Sequence, residues 1–217
     1  MVRTPRSDPP LGLLRNQVKW ASRFERVRVS GGDWATKQAK EILKSALDRL
    51  THGKCAYCEG PLDAQSHFEI DHHTAKTVRP DLAFEWMNLF PACNVCNRTK
   101  ASQDHGGRLL KPDEEDPEEY LWVDATGELS AHPSLSEEGA GRVRDTIRLC
   151  GLNRGRLVSE RLDFIVRVGH WIRMEFDQDE GRRLLDPRIA YKLVIRHQLR
   201  LARRGDLIQK DRQQFER

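Results

Sequence analysis

Two Cys-x-x-Cys pairs constrain the fold of this chain more than any other feature of its sequence. The first pair is Cys55 and Cys58, and the second is Cys93 and Cys96. Each pair forms a tight knuckle, and two knuckles together supply the four thiolates of a tetrahedral zinc site. Zinc binding at such a site is worth roughly 10–16 kcal/mol, as much as the stability of an ordinary domain. We therefore predict a closed, structural Zn2+ that the fold requires, in preference to redox-active thiols.

The segment between the two knuckles must itself be folded. Residues 59–92 separate the pairs, which is too long for a simple ribbon hairpin. Apolar and polar residues alternate in Phe68–His72, as expected of a strand, and residues 83–90 are amphipathic. A helix is expected to begin near Cys93. Two strands followed by a helix predict a ββα hairpin.

This predicted hairpin carries side chains that suit hydrolytic chemistry. Asp71 and Asn97 can ligate a hard divalent cation through oxygen atoms. His72 titrates near neutral pH and can accept a proton from water. Asn88 is expected to hold the loop that orients His72. For Glu69 we expect a structural or water-bridging role.

The pattern of these residues resembles a known family. The run Glu69-Ile-Asp-His72, then Asn88-Leu89, then Cys93-x-x-Cys96-Asn97-x-x-Lys100 resembles the HNH (ββα-metal) endonucleases that carry a four-cysteine zinc. More closely, the chain resembles the nuclease subunits of the Septu anti-phage systems, over about residues 35–165. The segments that carry this closer resemblance are Lys54–Glu59, Ala83–Leu89, Leu110–Asp113 and Thr146–Asn153.

The resemblance implies a mechanism and a partner. A single Mg2+ or Mn2+ would lie between Asp71, Asn97 and a phosphate oxygen, and His72 would activate the attacking water. Lys76 and Lys100 would hold neighbouring phosphates. The resemblance also implies bacterial anti-phage defence and an ATPase partner subunit of the ABC or SMC-like type.

The chain departs from the family pattern at two places. His73-Thr-Ala-Lys76 stands where many relatives have Phe-Arg-Pro-Lys, so His73 is a rival base or metal ligand. Asn97 stands where many HNH enzymes have a histidine. Because an amide is a weaker ligand than an imidazole, we expect the catalytic metal to bind loosely without substrate.

Composition and patterning give the expected organisation of the chain. It has 217 residues and a net charge of +4, which is only a weak indication of a polyanionic partner. No apolar run is long enough to cross a membrane, so we expect a cytoplasmic protein with no membrane partner. We predict an α+β, mostly helical fold in three parts. These are a basic N-terminal arm or solvated tail (1–32), an HNH nuclease domain (33–125) and a helical C-terminal region (126–217).

Several helices are predicted outside the hairpin. One is expected over residues 34–51 with Asp33 as its N-cap and His52-Gly53 as its C-terminal signal. A short β-hairpin is expected from Tyr120, and three helices after residue 137, the last two over 155–178 and 187–204. The last helix carries four basic residues at helical spacing, which predict either a phosphate-binding stripe or a solvated face. They are Lys192, Arg196, Arg200 and Arg203.

The leading functional hypothesis is a metal-dependent HNH endonuclease that hydrolyses nucleic acid. DNA is the favoured substrate, and RNA stays open because the chemistry needs only a phosphodiester. One alternative is a non-catalytic zinc module that binds nucleic acid or protein. Another is a stand-alone HNH nuclease, which would cleave without a partner.

Overall fold

The structure is a computed structural model that describes residues 1, 4, 6–62, 67–102, 105–173, 184, 186–205, 207–209 and 213. Within these residues the fold is mostly helical with two small antiparallel sheets, which confirms the predicted α+β class. No described helix is long and apolar enough to cross a membrane. The elements in chain order are α1 (Leu11–Val27), α2 (Lys37–Thr51), β1 (Phe68–His72), β2 (Leu89–Cys93), α3 (Asn94–Lys100), α4 (Pro117–Tyr120), β3 (Leu121–Val123), β4 (Leu129–Ala131), α5 (Glu137–Leu149), α6 (Gly155–Arg173) and α7 (Lys192–Leu201).

The predicted ββα hairpin is present as β1, β2 and α3, but its second strand is Leu89–Cys93, because Trp86–Asn88, within the segment predicted for that strand, forms a 3-10 turn. The two strands are antiparallel, with Asp71 opposite Phe90 and His72 opposite Leu89. Helix α3 follows β2 directly, and its N-cap is Cys93, whose sulfur accepts a hydrogen bond from the Cys96 amide at 3.4 Å. The second zinc knuckle is therefore also the start of the helix.

The two faces of the β1–β2 sheet have different neighbours. Phe68, Ile70 and Leu89 belong to an apolar cluster with α1 and α2. Glu69 and Asp71 instead contact side chains of α3. Because side chains alternate between the faces of a strand, His72 lies on the same face as Phe68 and Ile70, whereas Glu69 and Asp71 lie on the face toward α3.

Helix α2 begins later than the sequence pattern predicted. Its N-cap is Thr36, whose hydroxyl accepts from the Ala39 amide at 3.2 Å. The prediction of Asp33 as the cap was wrong, because its carboxylate pairs with Lys40 at 2.6 Å instead. The C-terminal end at His52, in the left-handed conformation, is as predicted.

The N-terminal stretch contains a packed helix, although its sequence suggested an arm or a solvated tail. Leu13, Trp20 and Phe24 of α1 are buried in the apolar cluster with α2. Upstream of the helix, Arg6 Nε donates to Asp113 Oδ2 at 2.8 Å. The basic composition hid the buried face of this helix.

The C-terminal half shares a core with the zinc knuckles. The predicted hairpin is present as β3 and β4, paired from Leu121–Ala131 to Val123–Leu129. Helix α7 is shorter than predicted, and the part of the predicted 155–178 helix beyond Arg173 lies outside the described residues. One core cluster includes residues from both sides of position 125, where the predicted nuclease domain meets the predicted C-terminal region. The division of the chain into three parts stays a prediction. That cluster includes Cys55, Tyr57, Leu152, Leu157 and Leu193.

Candidate metal centre and active site

The four knuckle cysteines lie together in the fold. Their sulfur atoms are all within 4.8 Å of one another, and Cys58 Sγ is 3.9 Å from Cys93 Sγ. Zinc–sulfur bonds of about 2.3 Å in a regular tetrahedron place the sulfurs about 3.8 Å apart. All four cysteines are buried. The residues therefore fit the predicted structural zinc.

Local backbone geometry and one arginine support this thiolate cluster. In the first knuckle the Glu59 amide donates to Cys55 O at 3.0 Å, which closes a tight turn. Arg154 Nη1 lies 3.4 Å from Cys96 Sγ, and its Nη2 lies 3.9 Å from Cys93 Sγ. Burial opposes the charge of Arg154, but the neighbouring sulfurs raise its pKa above the usual value. Its cation balances part of the negative charge of four thiolates.

Asp71 is buried between two donors on the polar face of β1. The Tyr57 hydroxyl donates to Asp71 Oδ2 at 2.5 Å, and Lys100 Nζ lies 3.3 Å from Oδ1. Burial raises the pKa of Asp71, and the charge of Lys100 opposes that shift. Burial and the Asp71 carboxylate raise the pKa of Tyr57, so its hydroxyl keeps its proton and stays a donor.

Lys100 is an internal cation. Its side chain is 1% exposed, and its Nζ donates to His72 O at 2.9 Å and to His73 O at 3.4 Å. Together with Asp71, these acceptors account for the burial of the charge. The predicted contact of Lys100 with a substrate phosphate does not fit this position. Lys100 instead joins α3 to the end of β1.

His72 is held in one tautomer by the loop that follows β1. Its Nε2 lies 3.0 Å from Ala83 O. Because a carbonyl oxygen only accepts, Nε2 carries the ring proton and Nδ1 keeps its lone pair. The ring packs edge-on against Trp34 at 4.7 Å. Burial, with the charge of Lys76, lowers the pKa of His72 to about 3, below the near-neutral value expected from the sequence, so the imidazole is neutral at pH 7.

Asn88 ties together the two ends of this loop. Its Oδ1 accepts from the Thr74 amide at 2.8 Å, and its Nδ2 donates to Thr74 O at 3.0 Å and Leu82 O at 3.1 Å. The same loop carries Ala83, whose carbonyl oxygen accepts the hydrogen bond from His72 Nε2. Asn88 thus lies where it can hold the loop that orients His72.

Asn97 joins the polar face through Glu69. Its Nδ2 donates to the Glu69 carboxylate, one turn of α3 before the Lys100–Asp71 pair. The side chains of Asp71, Glu69 and Asn97 therefore all carry oxygen atoms at the contact between β1 and α3. These are the ligands that Mg2+ and Mn2+ prefer. Carboxylate oxygens have further lone pairs, so the contacts of Asp71 with Tyr57 and Lys100 do not prevent ligation, and a cation held by Asp71 and Asn97 stays a prediction.

Two further predicted residues lie beside the site. Lys76 is partly buried, with Nζ 5.9 Å from the centroid of the Trp34 ring that contacts His72. The buried Nε2 of His73 has no hydrogen-bond partner among the residues that the structure describes, and burial lowers the pKa of His73 to about 4. The phosphate contact of Lys76 and the rival role of His73 stay predictions.

The four basic residues predicted to form an exposed stripe on the last helix do not form one. Lys192 and Arg196 are buried, and Lys192 Nζ donates to Leu184 O at 3.0 Å. Arg196 Nη1 lies 2.6 Å from Glu118 Oε1, and Arg200 pairs with the same carboxylate. Arg203 is exposed. Since Glu118 is far away in sequence, helical spacing alone could not show that Arg196 is buried against this carboxylate or that the more exposed Arg200 also pairs with it.

Three residues of the site were not identified from the sequence. Tyr57 lies inside the first knuckle, and only the fold shows that its hydroxyl reaches Asp71. Trp34 precedes α2, and Arg154 precedes α6; nothing in their spacing connects either to the motif. Their roles depend on contacts between elements distant in the chain.

Comparison with known proteins agrees with this geometry. Residues 55–103 match the model of the family described as HNH endonuclease. This segment spans both knuckles, β1, β2 and α3, so the match covers the cysteine cluster and the ββα hairpin together.

Two curated relatives carry a more particular name, Septu protein PtuB. The one from Bacillus thuringiensis is 28% identical over 123 residues, which cover 56% of this chain and 46% of the relative. The one from Bacillus mycoides (strain KBAB4) is 28% identical over 189 residues, covering 73% of this chain and 59% of the relative. The chain thus spans about half the length of the curated relatives it matches.

Proposed function

We propose that this protein is a metal-dependent endonuclease that hydrolyses phosphodiester bonds of nucleic acid. The observation that carries the proposal is the fixed tautomer of His72, whose proton lies on Nε2 against Ala83 O, at the end of the strand that bears Asp71. A general base needs a free lone pair at a fixed position, and Nδ1 supplies it.

In the proposed reaction, His72 Nδ1 removes a proton from a water molecule. The water oxygen forms a bond to phosphorus as the bond from phosphorus to the 3′ oxygen breaks, and solvent supplies the proton that the leaving oxygen takes up. A divalent cation, Mg2+ or Mn2+, held by Asp71 and Asn97, supplies charge stabilisation at the phosphate when bound. Asn88 and Trp34 hold the imidazole in place. Lys76 and His72 both lie beside the Trp34 ring, and on this proposal Lys76 contacts a neighbouring phosphate.

The likeness to PtuB proteins supports a role in anti-phage defence. On this proposal the chain is the cytoplasmic nuclease subunit of a Septu-type system, and DNA is its favoured substrate, with RNA open. Its partner is an ATPase of the ABC or SMC-like type, resembling PtuA. The resemblance of the sequence and the name of the relatives are what support this assignment.

Separate pools of DNA and RNA test the proposal. The purified chain is incubated with each pool in Mg2+, in Mn2+ or in a chelator that removes them, with and without the candidate ATPase. We expect cleavage that requires the divalent cation and increases with the partner. Full cleavage by the chain alone would favour the stand-alone nuclease. Tight binding without cleavage in every combination would contradict the proposal and favour the non-catalytic zinc module.

A further inference from the structure

We propose that Glu69 is a positioning residue that determines which end of the Asn97 side-chain amide faces the catalytic metal. The inference rests on the proposed function, because it assumes that Asn97 is a metal ligand. It assigns Glu69 a specific task that neither the motif nor the family match gives it.

The direction of one hydrogen bond carries the inference. An amide side chain has a donor end and an acceptor end of nearly the same shape, so a half-turn exchanges them with little steric change. A carboxylate only accepts, and Glu69 contacts Asn97 through Nδ2. The contact therefore turns Oδ1 away from Glu69. Cations ligate amides through oxygen, so this orientation is the one that can bind metal.

The surrounding fold keeps Glu69 and Asn97 at a fixed separation. Glu69 lies opposite Ala92 in the β1–β2 ladder, and α3 continues directly from β2. One helical turn beyond Asn97, Lys100 makes a second contact between α3 and β1 at Asp71. Two parallel contacts thus hold the helix against the strand, and the Glu69 contact is the one that reaches a predicted ligand.

A competing role for Glu69 is direct metal ligation, since its carboxylate shares the same face. The two roles differ in how Glu69 depends on Asn97. If Glu69 only positions Asn97, substituting Glu69 has no effect on metal affinity in a protein that lacks the Asn97 side chain. If Glu69 is a ligand, or acts through its negative charge, its substitution weakens metal binding in that protein too. A double-mutant cycle separates these cases.

The test measures Mn2+ affinity of the full, zinc-loaded chain by electron paramagnetic resonance without nucleic acid. In Glu69→Gln, the new side-chain amide can either accept from Asn97 Nδ2 or donate to Asn97 Oδ1, so the contact no longer fixes the orientation of Asn97. We expect Mn2+ binding to weaken by about 10-fold or more, within the range for residues that orient metal ligands. In Asn97→Ala, adding Glu69→Gln should cause no further loss.

Matched controls make the outcome specific. Glu41→Gln removes the same charge from the exposed face of α2 and should leave Mn2+ affinity unchanged. Unchanged affinity in Glu69→Gln, or an equal further loss in the Asn97→Ala background, would overturn the inference. Absence of Mn2+ binding by the wild-type chain would instead contradict the metal site of the proposed function. Zinc content and circular dichroism verify that each variant is folded.

Discussion

At the residue scale, the site depends on polar atoms whose directions are fixed by neighbours. Carbonyl and carboxylate acceptors set the orientation of His72, Asn97 and Lys100. The sequence motif identified the residue types, because few other residues can ligate a hard cation or accept a proton. The motif could not show in which direction the polar atoms of these side chains point, or how deeply the side chains are buried. Lys100 illustrates this, since the family resemblance implied a phosphate contact, whereas its acceptors lie on β1 and on the residue that follows it.

Removal of the Lys100 cation should destabilise the fold. Lys100→Met keeps most of the apolar length but leaves the buried Asp71 carboxylate without its ion-pair partner. Loss of one partner from a buried pair costs about 3–5 kcal/mol. Urea unfolding at pH 7 measures the change, and Lys37→Met, on an exposed position of α2, is the control. Equal stability of the two variants would contradict an internal role for Lys100.

At the scale of elements, the ββα hairpin and the knuckles followed from the sequence, because cysteine spacing and strand alternation are local signals. Other elements depended on partners elsewhere in the chain. The N-cap of α2 is Thr36 and not the predicted Asp33, because the Asp33 carboxylate pairs with Lys40. The prediction of an exposed basic stripe on α7 was wrong, because Glu118 on α4 pairs with two of the arginines of this helix.

Loss of one zinc ligand should prevent folding of the hairpin. In Cys96→Ser the site loses a thiolate, and zinc affinity of roughly 10–16 kcal/mol is a large part of the stability. We expect loss of bound zinc, measured by elemental analysis, together with loss of soluble folded protein. Cys150→Ser, a buried cysteine outside the cluster, is the comparison and should retain zinc. A folded Cys96→Ser protein that still binds nucleic acid and cuts it would show that the zinc assignment is wrong.

The attachment of α7 to α4 can be tested with adjacent glutamates. Glu118→Gln leaves the buried Arg196 without its carboxylate, and such a loss costs about 3–5 kcal/mol. Glu119→Gln removes the same charge from an exposed neighbour and should cost under about 0.5 kcal/mol. Urea unfolding of the two variants gives the difference. Similar stabilities would mean that the ion pair does not hold α7.

At the scale of the whole molecule, two cores surround the site. One contains α1, α2 and the apolar face of β1 and β2, and the other joins the knuckles to the C-terminal half. The sequence did not show which elements share each core, because both cores depend on contacts between segments that are distant in the chain. Helix α1 shows why, since its buried positions Leu13, Trp20 and Phe24 are spaced among basic residues that suggested a solvated arm.

The whole protein should lose stability on mild acidification, and His197 contributes to that loss. Its ring packs edge-on against Trp122 at 4.3 Å. Burial, with the facing Arg200 and His132, lowers the pKa of His197. The unfolded chain therefore binds a proton that the folded protein resists. The stabilisation is complete above the unfolded pKa of about 6.5 and is lost as pH falls through the window below it.

Urea unfolding at pH 7 and pH 5 measures this effect. We expect His197→Gln to lose less stability between the two pH values than the wild type does. His170→Gln, at an exposed position of α6, should behave as the wild type does. An unchanged pH dependence in His197→Gln would contradict the assignment.

The central claim is that His72 is the base of a hydrolytic site, and one comparison tests it most directly. Wild-type and His72→Ala proteins, both with bound zinc and matching circular dichroism spectra, are assayed for cleavage of nucleic acid in Mg2+ or Mn2+ with the candidate ATPase present. Since a general base contributes about 10²–10⁴-fold, we expect the cleavage rate to fall by that factor while zinc content stays the same. A His72→Ala protein that folds, holds zinc and cleaves at the wild-type rate would contradict the account.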